Sequence, residues 1–360
     1  MIKIHFPAGA DECNENCTPP RHLASGMRLL GQFFISPRNS LFMTDRHLNG
    51  HDRNNLITKW SGKNKPAVEI DSGDIITFEI PDSSTDQIKP GATMTSISGR
   101  DGSLTDAAVG PVFVRGAKKG DILCAEIIDM KSGSWGWSMV SNDFGLLHDL
   151  FSETRLYHWS IEGGLARPLN SGFLKGISLK TKPFLGVMGV APGGSSEYGL
   201  IPPQYFGGNM DNRRVRKGSR IYFPVNVEGG LFATSDPHAL QGDGEVCGTS
   251  IEMPAKVRIR LTVEEGNADI SAPLVISKES REEGTVFSTS GISHDMYQAS
   301  RSAVIQMVDL IHSAGIDRAE AYLLCSLAGS LHISEIVDIP NLNVCFSIDA
   351  TVLRKLGIYL

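Results

Sequence analysis

Pro66-Ala-Val-Glu-Ile-Asp-Ser-Gly-Asp-Ile-Ile-Thr-Phe-Glu-Ile80 decides the fold class. Apolar and polar residues alternate on both sides of Ser72-Gly73. A period of two puts successive side chains on opposite faces of an extended strand. The stretch therefore reads as two strands joined at a glycine turn, a β-hairpin. Similar punctuation returns at Gly110-Pro-Val-Phe-Val-Arg-Gly-Ala-Lys-Lys-Gly-Asp-Ile-Leu-Cys-Ala-Glu-Ile-Ile-Asp129, where Gly120-Asp121 again leads into a β-branched run. Ala255-Lys-Val-Arg-Ile-Arg-Leu-Thr-Val263 alternates as a strand with one wet face. Phe184 to Ala191, bounded by Pro183 and Pro192, is a short apolar run and reads as a buried strand.

The helical period appears late. Met296, Ala299, Ala303, Val304, Met307, Val308 and Ile311 share one face of a helix over 294–314, and Gly315 is placed to end it. Asp317-Arg-Ala-Glu320 has the form of a capping box and predicts a second helix through Ala328. Strands over 331–337 and 344–348 follow. The 38 Gly and 18 Pro fit many short strands better than a helical bundle. The expected fold is mainly β, with sandwich or barrel-like sheets and an α/β C-terminal portion. The expected division is a polar N-terminal arm over 1–60, a β-rich catalytic region over 61–255 and the C-terminal portion over 256–360.

Composition narrows the function classes. The formal net charge of −6 carries no footprint for nucleic acid or an anionic membrane, and it favours a small neutral substrate. No run approaches the roughly 20 apolar residues of a membrane span. Met1-Ile-Lys-Ile-His-Phe-Pro7 has no apolar signal-peptide core. The six Cys are scattered, and Cys13 and Cys17, the one close pair, lack a second pair at zinc-finger spacing. That usage suits a reducing cytosol, so a cytoplasmic protein is expected. Gly193-Gly-Ser-Ser196 lacks the lysine and following helix of a phosphate-binding loop.

The chemistry gathers in two glycine-rich pieces, Gly207-Gly-Asn-Met-Asp211 and Thr234-Ser-Asp-Pro-His-Ala-Leu-Gln-Gly-Asp-Gly-Glu-Val-Cys-Gly248. Glycine allows backbone conformations closed to other residues and lets a ligand approach closely. Asp236 and His238 are two apart, as are Asp243 and Glu245, so each pair can share a face of an extended segment. Imidazole with carboxylate is an ordinary Zn²⁺ ligand set. Neighbouring carboxylates raise one another's proton affinity, which tunes a general acid or base. The structural alternative is a solvated acidic turn with His238 bonded to a nearby carbonyl.

These two pieces resemble the central signature of the acetamidase/formamidase family. The resemblance covers roughly residues 60 to 350, is strongest over 205 to 250, and extends to Gly110-Pro-Val and Gly120-Asp-Ile-Leu. It implies hydrolysis of short aliphatic amides, formamide or acetamide, to ammonia and a carboxylate. It also implies a homo-oligomer, since relatives are oligomeric, and an irregular arm over 1–60 points the same way. One departure stands out. Relatives commonly carry a His shortly before the Gly-Pro; this chain has Thr105-Asp-Ala-Ala-Val109, so either Asp106 takes its place or the substrate range differs.

For amide hydrolysis the expected assignments follow. His238, Asp236 and Asp211 bind a divalent metal, zinc first; Glu245 is the general base and then acid, with Asp243 second; Asn209 donates to the oxyanion. Cys247 offers a thiolate alternative, and His51 an additional site residue within His47-Leu-Asn-Gly-His51. No Gly-x-Ser-x-Gly elbow occurs. Trp135, Trp137, His148, His158 and Trp159 form an aromatic insertion that either lines a pocket or stabilises itself. Two other readings stay open: a non-catalytic β-rich module binding metal or sugar, and a hydrolase of cyclic or larger amides served by that insertion.

Overall fold

Ser72-Gly73 turns the chain between two sheets. In the computed structural model, which describes residues 46–170, 172, 174–266, 270–280 and 284–358, Val68–Asp71 pairs parallel to Ala108–Arg115. Ile75–Ile80 instead pairs with Arg46–Asn49 and Ala255–Glu264, in another sheet. The expected hairpin is therefore not formed. The strands on either side of the second Gly-Asp step part in the same way: Ala108–Arg115 and Ile122–Ser132 lie in different sheets. Alternation fixes which face of a strand is buried and says nothing of which strand it pairs with. Both Gly-Asp steps mark corners, and Gly73 (φ 94°) and Gly120 (φ 98°) supply backbone conformations that the corners use.

The larger sheet has nine strands, in the order Arg46–Asn49, Ile75–Ile80, Ala255–Glu264, Ile122–Ser132, Arg220–Pro224, Leu274–Ser280, Gly284–Ser293, Leu342–Asp349 and Gly329–Glu335. A second sheet runs Gly207–Asn209, Phe184–Gly189, Phe232–His238, Ala108–Arg115 and Leu56–Ile57, with Val68–Asp71 beside Ala108–Arg115. The two sheets share one apolar core. Phe232 of the second sheet meets Phe78 at 6.1 Å and Phe223 at 6.3 Å, both from the larger sheet and both edge-on. The architecture is a sandwich, as expected.

Two features cross the expected divisions. The latter part of the expected arm is structural: Arg46–Asn49 and Leu56–Ile57 join opposite sheets, and Trp60 is buried against Phe206 at 5.7 Å. Sparse anchors at Leu48, Ile57 and Trp60 are enough, although the segment is polar on average. Residues 1–45, with Cys13 and Cys17, lie outside the described residues. The larger sheet also runs across the expected division at 255/256 and takes in the C-terminal strands.

Both predicted helices are present. Met296–Ser313 is capped by Asp295, whose carboxylate accepts from Gln298 N at 2.8 Å. Arg318–Ala328 is capped by Asp317. Met307, Ile311, Cys325, Phe346 and Leu353 form a second core where the helices cover the end of the sheet. The aromatic insertion is a four-stranded sheet of its own, Trp135–Val140, Arg155–Glu162, Leu165–Pro168 and Leu179–Lys180. Among the described residues no helix is long and apolar enough to cross a membrane.

Candidate active site

The strand Phe232–His238 is buried along its whole length and ends in the two residues of Asp236-Pro237-His238 that carry chemistry. Phe184–Gly189 lies between it and Gly207–Asn209, so three strands bring Asp236, His238, Asn209 and Asp211 together. Gly186 makes this possible. A Cβ there would sit 2.5 Å from Asp211 Oδ1, press into Asp236 Oδ2 and lie 3.1 Å from His238 Cε1. The glycine is required by the carboxylates on either side of it.

Asp106, Asp211, Asp236 and Glu245 have φ of 57°, 44°, 56° and 44°. They are four of the eight non-glycine residues with positive φ among those described, so half of this strain sits on carboxylates of one site. Left-handed backbone at such residues is held only where the surroundings enforce it, and functional sites are where it gathers.

His238 is the centre. Its Nε2 lies 2.9 Å from Asp236 Oδ2 and 3.1 Å from Glu252 Oε2; its Nδ1 lies 2.9 Å from Gln241 Oε1 and 3.7 Å from Asp211 Oδ1. Gln241 Nε2 donates to the carbonyls of Asp211 and Ser334, so its Oε1 is the acceptor for His238. That assigns the proton to Nδ1 and leaves the Nε2 lone pair, in the neutral ring, facing Asp236 and Glu252. Nε2 and Glu252 Oε2 approach closely yet lack hydrogen-bond geometry, and both oxygens of Asp211 and Oδ1 of Asp236 are buried without partners.

The electrostatics follow from burial. Asp106, Asp211, Asp236, Glu245, Glu252, Glu335 and Asp338 are all buried, around one imidazole. Burial pushes Asp211 up to about 6 against the pull of His238, and Glu335 up to about 8. Asp106, Asp236, Glu245 and Asp338 are raised well above the usual carboxylate range, again chiefly by burial. Glu252 is the exception. Burial raises it, but His238 and the Ser250 N–H, which donates to it at 2.7 Å, hold it down at about 2. Burial disfavours the imidazolium, yet Asp236 and Glu252 outweigh this and raise His238. One proton on Nε2 cannot satisfy so many orphaned oxygens, and an unpaired buried carboxylate is costly. The donor set fits a divalent cation.

Two compact groups have the right reach, Asp211–His238–Glu245 and Asp236–His238–Glu252, with ligand atoms within 4.8 Å of one another in each. The expected ligands Asp211 and Asp236 thus fall in different groups. Glu245, expected as the acid–base residue, sits within ligand distance of the first.

A cavity of about 420 Å³ opens above this floor, lined there by Asn209, Asp236, His238, Glu245, Glu252 and Asp338. Asp106 also reaches it, its backbone carbonyl held by Ser235 Oγ at 2.9 Å. Cys247 lines it too, with Sγ donating to Thr249 O at 3.2 Å. Asp243 does not: it is ion-paired to Arg213 Nε at 2.7 Å, outside the cavity lining. His51 does not either, being exposed and paired with Asp86. Alternation put Asp243 and Glu245 on one face, but Glu245 takes a left-handed turn that separates them. Sequence reading missed Glu252, Glu335 and Asp338. The available signal was a lone acid in an apolar run, Ile251-Glu-Met253 and Val337-Asp-Ile339.

Sandwich and site together define a β protein whose buried acid–imidazole centre, at the base of a cavity, is suited to hold a cation and move protons. The chain belongs to the acetamidase/formamidase family, whose model matches residues 44–197 and 195–354. It is 28% identical over 298 residues to a formamidase of Methylophilus methylotrophus, covering 64% of this chain and 73% of that protein. The crystal structure of a predicted acetamidase/formamidase from Thermoanaerobacter tengcongensis superposes with a TM-score of 0.80 at 30% identity, covering 88% and 99% of the two chains. An acetamidase structure from Bacillus halodurans gives 0.78 at 29% identity, covering 87% and 100%.

Proposed function

We propose that this protein hydrolyses the carbon–nitrogen bond of short aliphatic amides, releasing ammonia and a carboxylate. The observation that carries this is the ring of buried carboxylates around His238 at the floor of the cavity, in a chain of this family. Amide cleavage needs a base for the attacking water, charge stabilisation for the tetrahedral oxygen, and an acid for the leaving nitrogen. Glu245 is the base and then the acid. Its burial raises its affinity for a proton, which suits a group that takes a proton from water and passes it to the leaving nitrogen. Asn209 spends one Nδ2 hydrogen on Asp338 at 2.8 Å and keeps the other for the substrate carbonyl; its unpartnered Oδ1 accepts from the substrate amide. Asp106 and Asp338 close the floor against bulk water.

A divalent cation, zinc in our reading, held by His238, Asp236 and Glu252, would lower the pKa of a water and polarise the carbonyl. The proposal is tested by ammonia release from formamide and acetamide with and without chelator; no ammonia from any short amide refutes it. We further propose a homo-oligomer, supported by the exposed Tyr322, Leu323 and Leu327 on Arg318–Ala328 beside the exposed Leu331 of the edge strand. A monomer mass by light scattering at micromolar concentration would contradict it.

A further inference from the structure

The cavity is built from two chemically different parts. Its floor is the acid–imidazole centre. Its wall comes from the insertion sheet and the 83–105 segment, whose Ile88, Ile97, Trp137 and Leu156 form an apolar cluster separate from the main core, with Met139 packed on it. Three features of this wall bear on what the cavity can hold.

The first is registry. Trp137 and Glu252 form an antiparallel bridge, with Trp137 N donating to Glu252 O at 2.9 Å and Glu252 N to Trp137 O at 2.8 Å. Thr249 Oγ1 accepts from Met139 N at 2.9 Å and donates to Met139 O at 3.0 Å. The wall is therefore fixed to the residues of the floor, and the distance between amide chemistry and apolar surface is set by backbone pairing. The second is the surface itself. Trp137 Nε1 is committed to Asp82 Oδ1 at 2.9 Å, so the indole has no polar atom left to offer the cavity. Phe144 (36% exposed) and Met94 (37% exposed) also line the cavity, and large apolar side chains left in water are covered when an apolar group binds. The third is size. A three-heavy-atom amide fills only a small part of the 420 Å³ present. Formamide has no carbon beyond its carbonyl with which to touch the wall.

We infer that, among short aliphatic amides, the preferred substrates carry an apolar acyl chain longer than acetyl, seated on Trp137, Met139 and Phe144 while the amide lies on the floor. This deepens the amide-hydrolase reading and rests on it. Each methylene moved from water to the wall raises kcat/KM roughly fourfold.

The experiment compares formamide, acetamide, butyramide and benzamide with the purified full chain, scoring ammonia release and, separately, binding by calorimetry. The expected result is efficiency rising from formamide through acetamide to butyramide, with butyramide at least tenfold above formamide, and Phe144→Ala lowering the butyramide-to-formamide ratio several-fold. Met139→Ala provides the same readout should Phe144→Ala fail to fold. Efficiency that falls beyond acetamide, or a ratio unchanged in the variants, overturns the inference and leaves amide hydrolysis standing. If no amide is turned over, the hydrolase reading fails, and calorimetry still decides the wall: butyramide and benzamide binding no tighter than formamide overturns it.

Discussion

Asn209 Nδ2 donates to Asp338 Oδ2 at 2.8 Å, across 129 residues of sequence. Asn209 ends the edge strand of the second sheet, and Asp338 lies just beyond the edge strand of the larger one. The contact joins the two sheets at the floor of the cavity. Glu335 stands behind it: its Oε2 accepts from Val337 N and Asp338 N, both at 3.0 Å, and shapes the loop that presents Asp338. Asp338→Ala is expected to release Asn209 and lower kcat/KM about 10- to 100-fold, the usual scale for a residue that orients a site group. Ammonia release beside circular dichroism checks it; wild-type efficiency in a folded variant assigns the orientation of Asn209 to other groups.

Glu245 and Asp243 separate cleanly as predictions. Glu245→Gln is nearly isosteric and is expected to keep fold and metal while cutting turnover about a hundredfold or more, the scale of a lost general base. Asp243→Asn weakens only partly exposed pairs with Arg213 and His332 and should stay within a fewfold of wild type. Steady-state kinetics on both variants decides; the reverse pattern moves the acid–base role to Asp243.

Gly186→Ala tests the packing behind the centre. The added methyl meets Asp211 Oδ1 at 2.5 Å and presses on Asp236, both of which are locked in left-handed backbone. Activity should fall at least a hundredfold, because a displacement of about 1 Å at a site already costs that much. A variant with normal activity shows that the carboxylates move freely, against the strain argument.

Metal removal should act on stability as well as rate. A cation bound only by the folded state stabilises it by mass action. Dialysis against chelator is expected to lower the thermal midpoint by several degrees and abolish ammonia release, and zinc should restore both. His238→Ala should lose bound metal and activity together, as read by elemental analysis. A metal-free protein with full activity and an unchanged midpoint sinks this part, and Cys247 alkylation becomes the informative step.

Some of this was written in the chain. Alternation at 66–80, 110–129 and 255–263 determined strands and their buried faces, because a period of two is a local property of extended backbone. The helical period after residue 294, Gly315 at its end and the capping box at Asp317 determined both helices for the same reason. Gly207–Asp211 and Thr234–Gly248 marked the family and most of the cluster, because its residues are grouped in sequence. Strand partners were a different matter. Whether Ser72-Gly73 closes a hairpin or turns a corner depends on which distant strand offers the longer matching edge, and Ala255–Glu264 lies some 180 residues away. Glu252, Asp338 and Glu335 belong to the site only because the folded sheets bring them to His238 and Asn209. Asp243 leaves it because one left-handed residue and the Arg213 pair turn its carboxylate outward. Local periodicity carries faces and caps, whereas burial of a charge is a property of the neighbours that tertiary structure supplies.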